Sequence, residues 1–133
     1  MRLWTSIQVA LLAAMLVWLI NTRLGPRFAC RSRITLLGPA VEEAAKTLLA
    51  LSLGAWLPGV HLGFGLIEGV WEWLSGRGGR RAALVAVLTH GALGGLTWYV
   101  LGRTGSVWPA VCAAWLVHAA WNALVLRLAR PAD

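Results

Sequence analysis

Glu42, Glu43 and Lys46 form the first pattern in this chain that could do chemistry. On a helix, Lys46 stands three residues from Glu43 and four from Glu42, so its ammonium can reach either carboxylate. Phe64 and Glu68 follow at the same four-residue spacing, then a single His90, then His118 and Asn122, again four apart and on one helix face. Two or three carboxylates with two imidazoles can hold a divalent metal, because imidazole nitrogen and carboxylate oxygen both suit zinc. Glu43, Glu68, His90 and His118 are the candidate ligands. The same groups can activate water without metal, a glutamate acting as general base in an apolar pocket. Asn122 would offer an amide donor to a tetrahedral oxyanion, and Lys46 would balance the acidic pair. No His-Glu-x-x-His helix of the soluble type is present, so any metal site has to be assembled from separate helices.

The setting of these groups is apolar. Glu42, Glu43, Glu68 and Glu72 lie inside hydrophobic stretches, and Asp133 is the fifth acidic residue. An ionisable group at bilayer depth costs at least ~2.5 kcal/mol, so it is normally paired, wetted or functional. Of the 133 residues, 59% are hydrophobic and 13% charged, against roughly 25% charged in a soluble domain. The mean hydropathy is +0.69. These values predict an all-α, polytopic membrane helical bundle forming a single transmembrane domain over 1–133. A spanning helix needs ~20 apolar residues, and five stretches qualify: 3–20, 34–56, 59–75, 82–102 and 106–127. The first reads as a retained helix rather than a cleaved leader, since Asn21-Thr22-Arg23 follows it in place of a small-x-small site. The helices over 34–127 form the expected core. Leu57-Pro58 is the expected link between the second and third helices, because proline does not continue a helix without a kink.

The net charge of +7 does not read as a nucleic-acid surface. The arginines fall in short clusters between apolar runs, and no basic face carries interleaved aromatics. Arg23, Arg27, Arg31 and Arg33 share one side with Arg77, Arg80 and Arg81 and with Arg127 and Arg130, which leaves Arg2 and Arg103 on the other. The excess of positive charge puts the first group in the cytoplasm, the N-terminus outside and the C-terminus inside. Counted from the cytoplasmic end of each helix, Glu42, Glu43, Glu68, His90 and His118 all lie roughly 10–14 Å deep at 1.5 Å per residue. One shared layer fed by four helices is what a bundle-core site requires. His61, near the outer end of its helix, reads as interfacial. Trp4, Trp56 and Trp108 fit an aromatic belt, while Trp71, Trp73, Trp115 and Trp121 read as packing residues, with the walls of a substrate cavity as the alternative. Cys30 and Cys112 read as two free thiols.

The run Gly38-Pro39-Ala40-Val41-Glu42-Glu43-Ala44-Ala45-Lys46 resembles the Glu-Glu-x-x-Lys motif of the PrsW family of intramembrane proteases. Gly63-Phe64-Gly65-Leu66-Ile67-Glu68 resembles that family's Phe-x-x-x-Glu motif, His90 its single-histidine motif, and His118-Ala119-Ala120-Trp121-Asn122 its closing His-x-x-x-Asn. The four motifs occur in the family's order and cover about 40–125. In the related CAAX prenyl endopeptidases and bacteriocin-processing proteins the second motif ends in His, so Glu68 favours the PrsW branch. The resemblance implies a metalloprotease of a bacterial cell membrane. Its partners would be membrane-embedded or membrane-proximal peptide substrates and the lipid bilayer, with no nucleic acid. In that reading Glu42, Glu43, Glu68, His90, His118 and Asn122 are catalytic and Lys46 supports them. Family members usually have more helices than five, so the chain would be a minimal protease, a homo-oligomer or an inactive relative.

Two other functions fit the same residues. A non-enzymatic scaffold or bacteriocin-immunity-type protein would keep the fold and use the Glu–Lys pair as a neutral bridge between helices. A small proton or cation pathway would need a polar route to the outer side, where the fourth and fifth helices carry few polar residues.

Overall fold

A computed structural model describes residues 2–27, 30–76 and 79–128. Arg77, Arg130, Asp133 and the side chains of Arg2 and Cys30 lie outside what it describes, and Cys112 is a free, exposed thiol. Five helices make the fold: α1 (Arg2–Leu24), α2 (Gly38–Ser52), α3 (Leu57–Ser75), α4 (Gly79–Thr104) and α5 (Val107–Leu128). Among the described residues there is no strand, as expected for an all-α bundle.

The helices close into a ring. α1 packs on α2 and α3, α3 has its largest interface with α4, α4 packs on α5, and α5 returns to α2. Small residues let the helices approach closely, as membrane helices require. Ala10, Ala13, Ala45, Ala50, Ala110, Ala114 and Ala119 are all buried. Gly63 faces α1 so tightly that a Cβ would come within 2.9 Å of the Ala10 Cβ. At the same end, Ser6 Oγ accepts from Trp56 N (3.2 Å) and donates to Trp56 O (3.3 Å), which fastens α1 to the turn before α3.

Polarity is inverted relative to a soluble protein. Glu43, Lys46, Thr47, His61, His90 and Thr97 are essentially fully buried, whereas Trp4, Met15, Trp18, Leu74, Leu84 and Leu88 are exposed. An exterior this apolar has its natural counterpart in lipid. Among the described residues, three helices are long and apolar enough to cross a membrane: Leu3–Arg23, Gly79–Thr104 and Val107–Leu128. That corrects the expected five spans. α2 has only 15 residues and carries Glu42, Glu43 and Lys46. α3 has 19, diluted by four glycines, His61, Glu68 and Glu72. The hairpin of α2 and α3 is too short and too polar to qualify, and it is the part that holds the chemistry.

Two boundaries differ from expectation. α2 ends at Ser52, because Gly54 adopts φ 62°, a left-handed conformation that glycine reaches without strain. Pro58 then sits in the first turn of α3 rather than in the loop, where its missing N–H costs nothing. Before α2, the chain enters through a π-helical turn, Arg33–Leu37. Two side chains of α5 bond its carbonyls: Trp115 Nε1 donates to Leu36 O and Asn122 Nδ2 to Ile34 O, both at 3.0 Å. Trp71 and Trp73 are exposed rather than packed in the core, as are Trp4, Trp56 and Trp108.

A Cβ on Gly65 would meet the His90 Cβ at 2.8 Å and the α4 backbone at 3.1 Å, whereas one on Gly95 would meet nothing within 4 Å. Gly65→Ala is therefore expected to lower stability by about 1–3 kcal/mol through overpacking. Gly95→Ala should be neutral within about 0.5 kcal/mol. Unfolding of the two variants in matched detergent checks both.

Candidate active site

Four helices send polar side chains to one point. α2 contributes Glu43 and Lys46 on successive turns of its buried face, with Glu42 beside them. α3 contributes Glu68 and, seven residues earlier on the same side, His61; α4 contributes His90 and α5 His118. Gly65 allows the α3–α4 approach that places His90 against this face.

The contacts form a connected chain. Lys46 Nζ donates to Glu43 Oε1 at 2.6 Å and to His90 Nδ1 at 2.9 Å. The ammonium also lies 4.7 Å from the centre of the Phe64 ring, a cation–π distance. His90 Nε2 lies 2.5 Å from Glu68 Oε2. His118 Nδ1 lies 2.9 Å from Glu43 Oε1 and 3.9 Å from Glu42 Oε2. The His90 and His118 rings meet edge to face at 5.2 Å.

An ammonium only donates hydrogen bonds. His90 Nδ1 is therefore the acceptor, and the His90 proton sits on Nε2, directed at Glu68. By the same logic His118 donates from Nδ1 to the Glu43 carboxylate, and its neutral form keeps a lone pair on Nε2.

The two adjacent glutamates have different surroundings. Glu43 is fully buried, with Lys46 and His118 both on Oε1. Glu42 instead lines a cavity of about 280 Å³ between α1 and α3, together with Glu68, Phe64, Trp71, Val17 and Trp18. Glu68 is the most open of the cluster, with 41% of its side chain exposed. Asn122, grouped with the cluster on sequence grounds, is placed instead on the π-turn carbonyl of Ile34. Glu72 makes no ion pair with the cluster among the described residues. His61, read as interfacial, is fully buried, and its Nδ1 stands 3.6 Å from Glu43 Oε2. The signal that would have found it is the His61–Glu68 separation of seven residues, two turns along one face.

Glu42, Glu43, His90 and His118 could hold a metal ion, each offering one donor atom within 4.8 Å of the others. Glu42 thus takes the place that the sequence reading gave to Glu68, which is engaged by His90. Two carboxylates and two imidazoles are a fitting donor set for zinc; tetrahedral ligation would bring the donors to roughly 3.3–3.6 Å apart, a modest contraction. Lys46 is the cation that now engages two of the four.

No protein-family model, no curated protein and no solved structure matches the chain.

Removing one partner of a buried ion pair strands the other charge, at a cost of about 3–5 kcal/mol, whereas apolar replacement of both is often near neutral. Lys46→Met and Glu43→Leu are each expected to be strongly destabilising. The double variant E43L/K46M should be more stable than either single one, as a thermal-unfolding double-mutant cycle would show.

Proposed function

We propose that the chain is an intramembrane endopeptidase of the PrsW type. The observation that carries this reading is the cavity between α1 and α3, whose polar wall is made by the Glu42 and Glu68 carboxylates. It joins a space large enough for a peptide side chain to a general base backed by imidazoles. The four sequence motifs resembling that family supply the side chains involved.

In this reading Glu42 is the base that takes the proton from the attacking water, because it is the acidic-pair member that reaches the cavity. Glu43 stays behind it as a fixed anion, orienting His118 through Nδ1. His118 Nε2 then faces its chemistry as an acceptor. Glu68 orients His90 through Nε2, and Lys46 offsets the charge of Glu43. The second N–H of Asn122 is the donor assigned to the oxyanion, the first being held by Ile34 O. Where a divalent metal is bound instead, with zinc the candidate, Glu42, Glu43, His90 and His118 would hold it in place of Lys46 and it would supply Lewis-acid polarisation, Glu42 then serving as a ligand rather than as the base. Apolar walls from α1 and α3 suit a membrane-embedded or membrane-proximal peptide.

The location proposed is a bacterial cell membrane with the N-terminus outside and the C-terminus in the cytoplasm. Three spanning helices leave the termini on opposite sides. The α2–α3 hairpin enters and leaves on one side, so it does not alter that orientation, which the arginine asymmetry favours. A scaffold or immunity-type role is the second reading. It is favoured by the Glu43–Lys46 pair, which neutralises itself within the bundle.

Cleavage of a membrane-anchored reporter by the full chain in proteoliposomes separates the two. Glu42→Gln is expected to lower cleavage by about 10²–10⁴-fold, the usual worth of a general base. Wild-type rates in Glu42→Gln and in the Glu42→Gln/Glu43→Gln double variant would end the catalytic proposal. Metal analysis gives an independent check: His118→Ala is expected to weaken Zn²⁺ binding by at least about 10–100-fold, the range seen even for lost outer-shell partners.

A further inference from the structure

Among the described residues, the buried polar atoms with no hydrogen-bond partner include Glu43 Oε2 and both ring nitrogens of His61. Glu43 and His61 are fully buried. An unpaired buried polar atom is costly, and a native core keeps few of them. Here they are neighbours, with His61 Nδ1 only 3.6 Å from Glu43 Oε2. A closure of roughly 0.6 Å would make an ordinary N–H···O bond at ~3.0 Å.

The packing around His61 is shaped for it. Gly94 of α4 faces the imidazole so closely that a Cβ there would stand 2.6 Å from the His61 Cβ and 3.1 Å from its Cγ. The backbone of α4 therefore packs directly on His61, and the ring has little freedom to leave Glu43.

Glu43 is unevenly loaded. Its Oε1 accepts from both Lys46 and His118, and its Oε2 from nothing. A carboxylate with all its donors on one oxygen is free to pivot about that oxygen. A donor on the second oxygen removes the pivot.

We propose that His61 is a further positioning residue of the cluster: it donates from Nδ1 to Glu43 Oε2, and through Glu43 and Lys46 it fixes the tautomer of His90. The chain runs from His61 to Glu43, from Glu43 to Lys46 at 2.6 Å, from Lys46 to His90 Nδ1 at 2.9 Å, and from His90 Nε2 to Glu68 on the cavity wall. Each link constrains the next. A pinned Glu43 holds the Lys46 ammonium at His90, the ammonium requires a lone pair on Nδ1, and that leaves the proton on Nε2, facing Glu68. Without His61, Glu43 turns, Lys46 loosens, and His90 is free to place its proton on either nitrogen. This concerns how the cluster is held and stands whether or not the chain hydrolyses peptides.

The test is ¹⁵N NMR of the full-length chain, histidine-labelled, in nanodiscs. The chain has three histidines, so assignment by single substitution is direct. Wild type is expected to show His90 as one tautomer, protonated on Nε2. In His61→Phe the His90 signals should shift towards a mixture of both tautomers, and in His61→Gln, whose amide can donate to Glu43, they should return towards wild type. A purely packing role predicts the opposite for His61→Phe: a phenyl ring removes two unpaired nitrogens from a dry core, so the protein becomes more stable and His90 keeps its wild-type pattern. That result would overturn the proposal. If His61→Phe does not fold, Gly94→Ala gives the same decision by displacing His61 without changing its chemistry. Altered His90 signals support the inference, and unaltered ones, with the His61 signals moved, refute it.

Discussion

The ion pair between Glu43 and Lys46 sits fully buried at the centre of the fold and dictates what must surround it. Two charges with no solvent exposure are stable only if their remaining hydrogen-bonding capacity is met, and meeting it takes groups from more than one helix. Lys46 needs an acceptor besides Glu43 and finds it on α4, in His90. Glu43 needs a donor besides Lys46 and finds it on α5, in His118. Phe64 of α3 presents its ring to the ammonium. One pair therefore ties α2 to three other helices. In lipid this matters more than in water, because apolar side chains are as comfortable against acyl tails as against one another and give the helices little reason to associate.

The rest of the architecture serves that centre. Alanines and glycines bring the helix backbones close enough for short polar contacts, and the large apolar side chains are pushed outward. The ring order, with α1 between α2 and α3, sets one wall of the cavity against the two carboxylates that the ion pair does not consume.

Much of this was legible in the sequence. The all-α class, the five helices and the convergence of Glu43, Lys46, Glu68, His90 and His118 follow from hydropathy, from i,i+3 and i,i+4 spacing and from equal depth. What was not legible depends on the direction of side chains about a helix axis and on local backbone geometry. Glu42 and Glu43 are adjacent in sequence and about 100° apart in projection, so only the packed bundle shows which is buried and which lines the cavity. Distance from the helix end reads His61 as interfacial, whereas its seven-residue register with Glu68 puts it on the inner face, where it is buried. Hydropathy alone reads 34–56 and 59–75 as spans, but the short, charged α2 and the glycine-diluted, polar α3 remove both. Asn122 was grouped with His118 on shared-face grounds, and no sequence rule foretold that the π-turn would offer it a carbonyl.

That π-turn has a consequence for how the chain tolerates length changes. A π-helical turn carries one residue more than an α-helical one, and here side chains from elsewhere bond to its backbone oxygens. Trp115 and Asn122 are those side chains. Deleting any one residue from 33–37 would let the helix rewind regularly and swing everything upstream, the two carbonyls included, by about 100° relative to α5. The indole and the amide would lose their acceptors together. A five-residue stretch that looks like an ordinary connector is thus as intolerant of deletion as the buried residues it leads into.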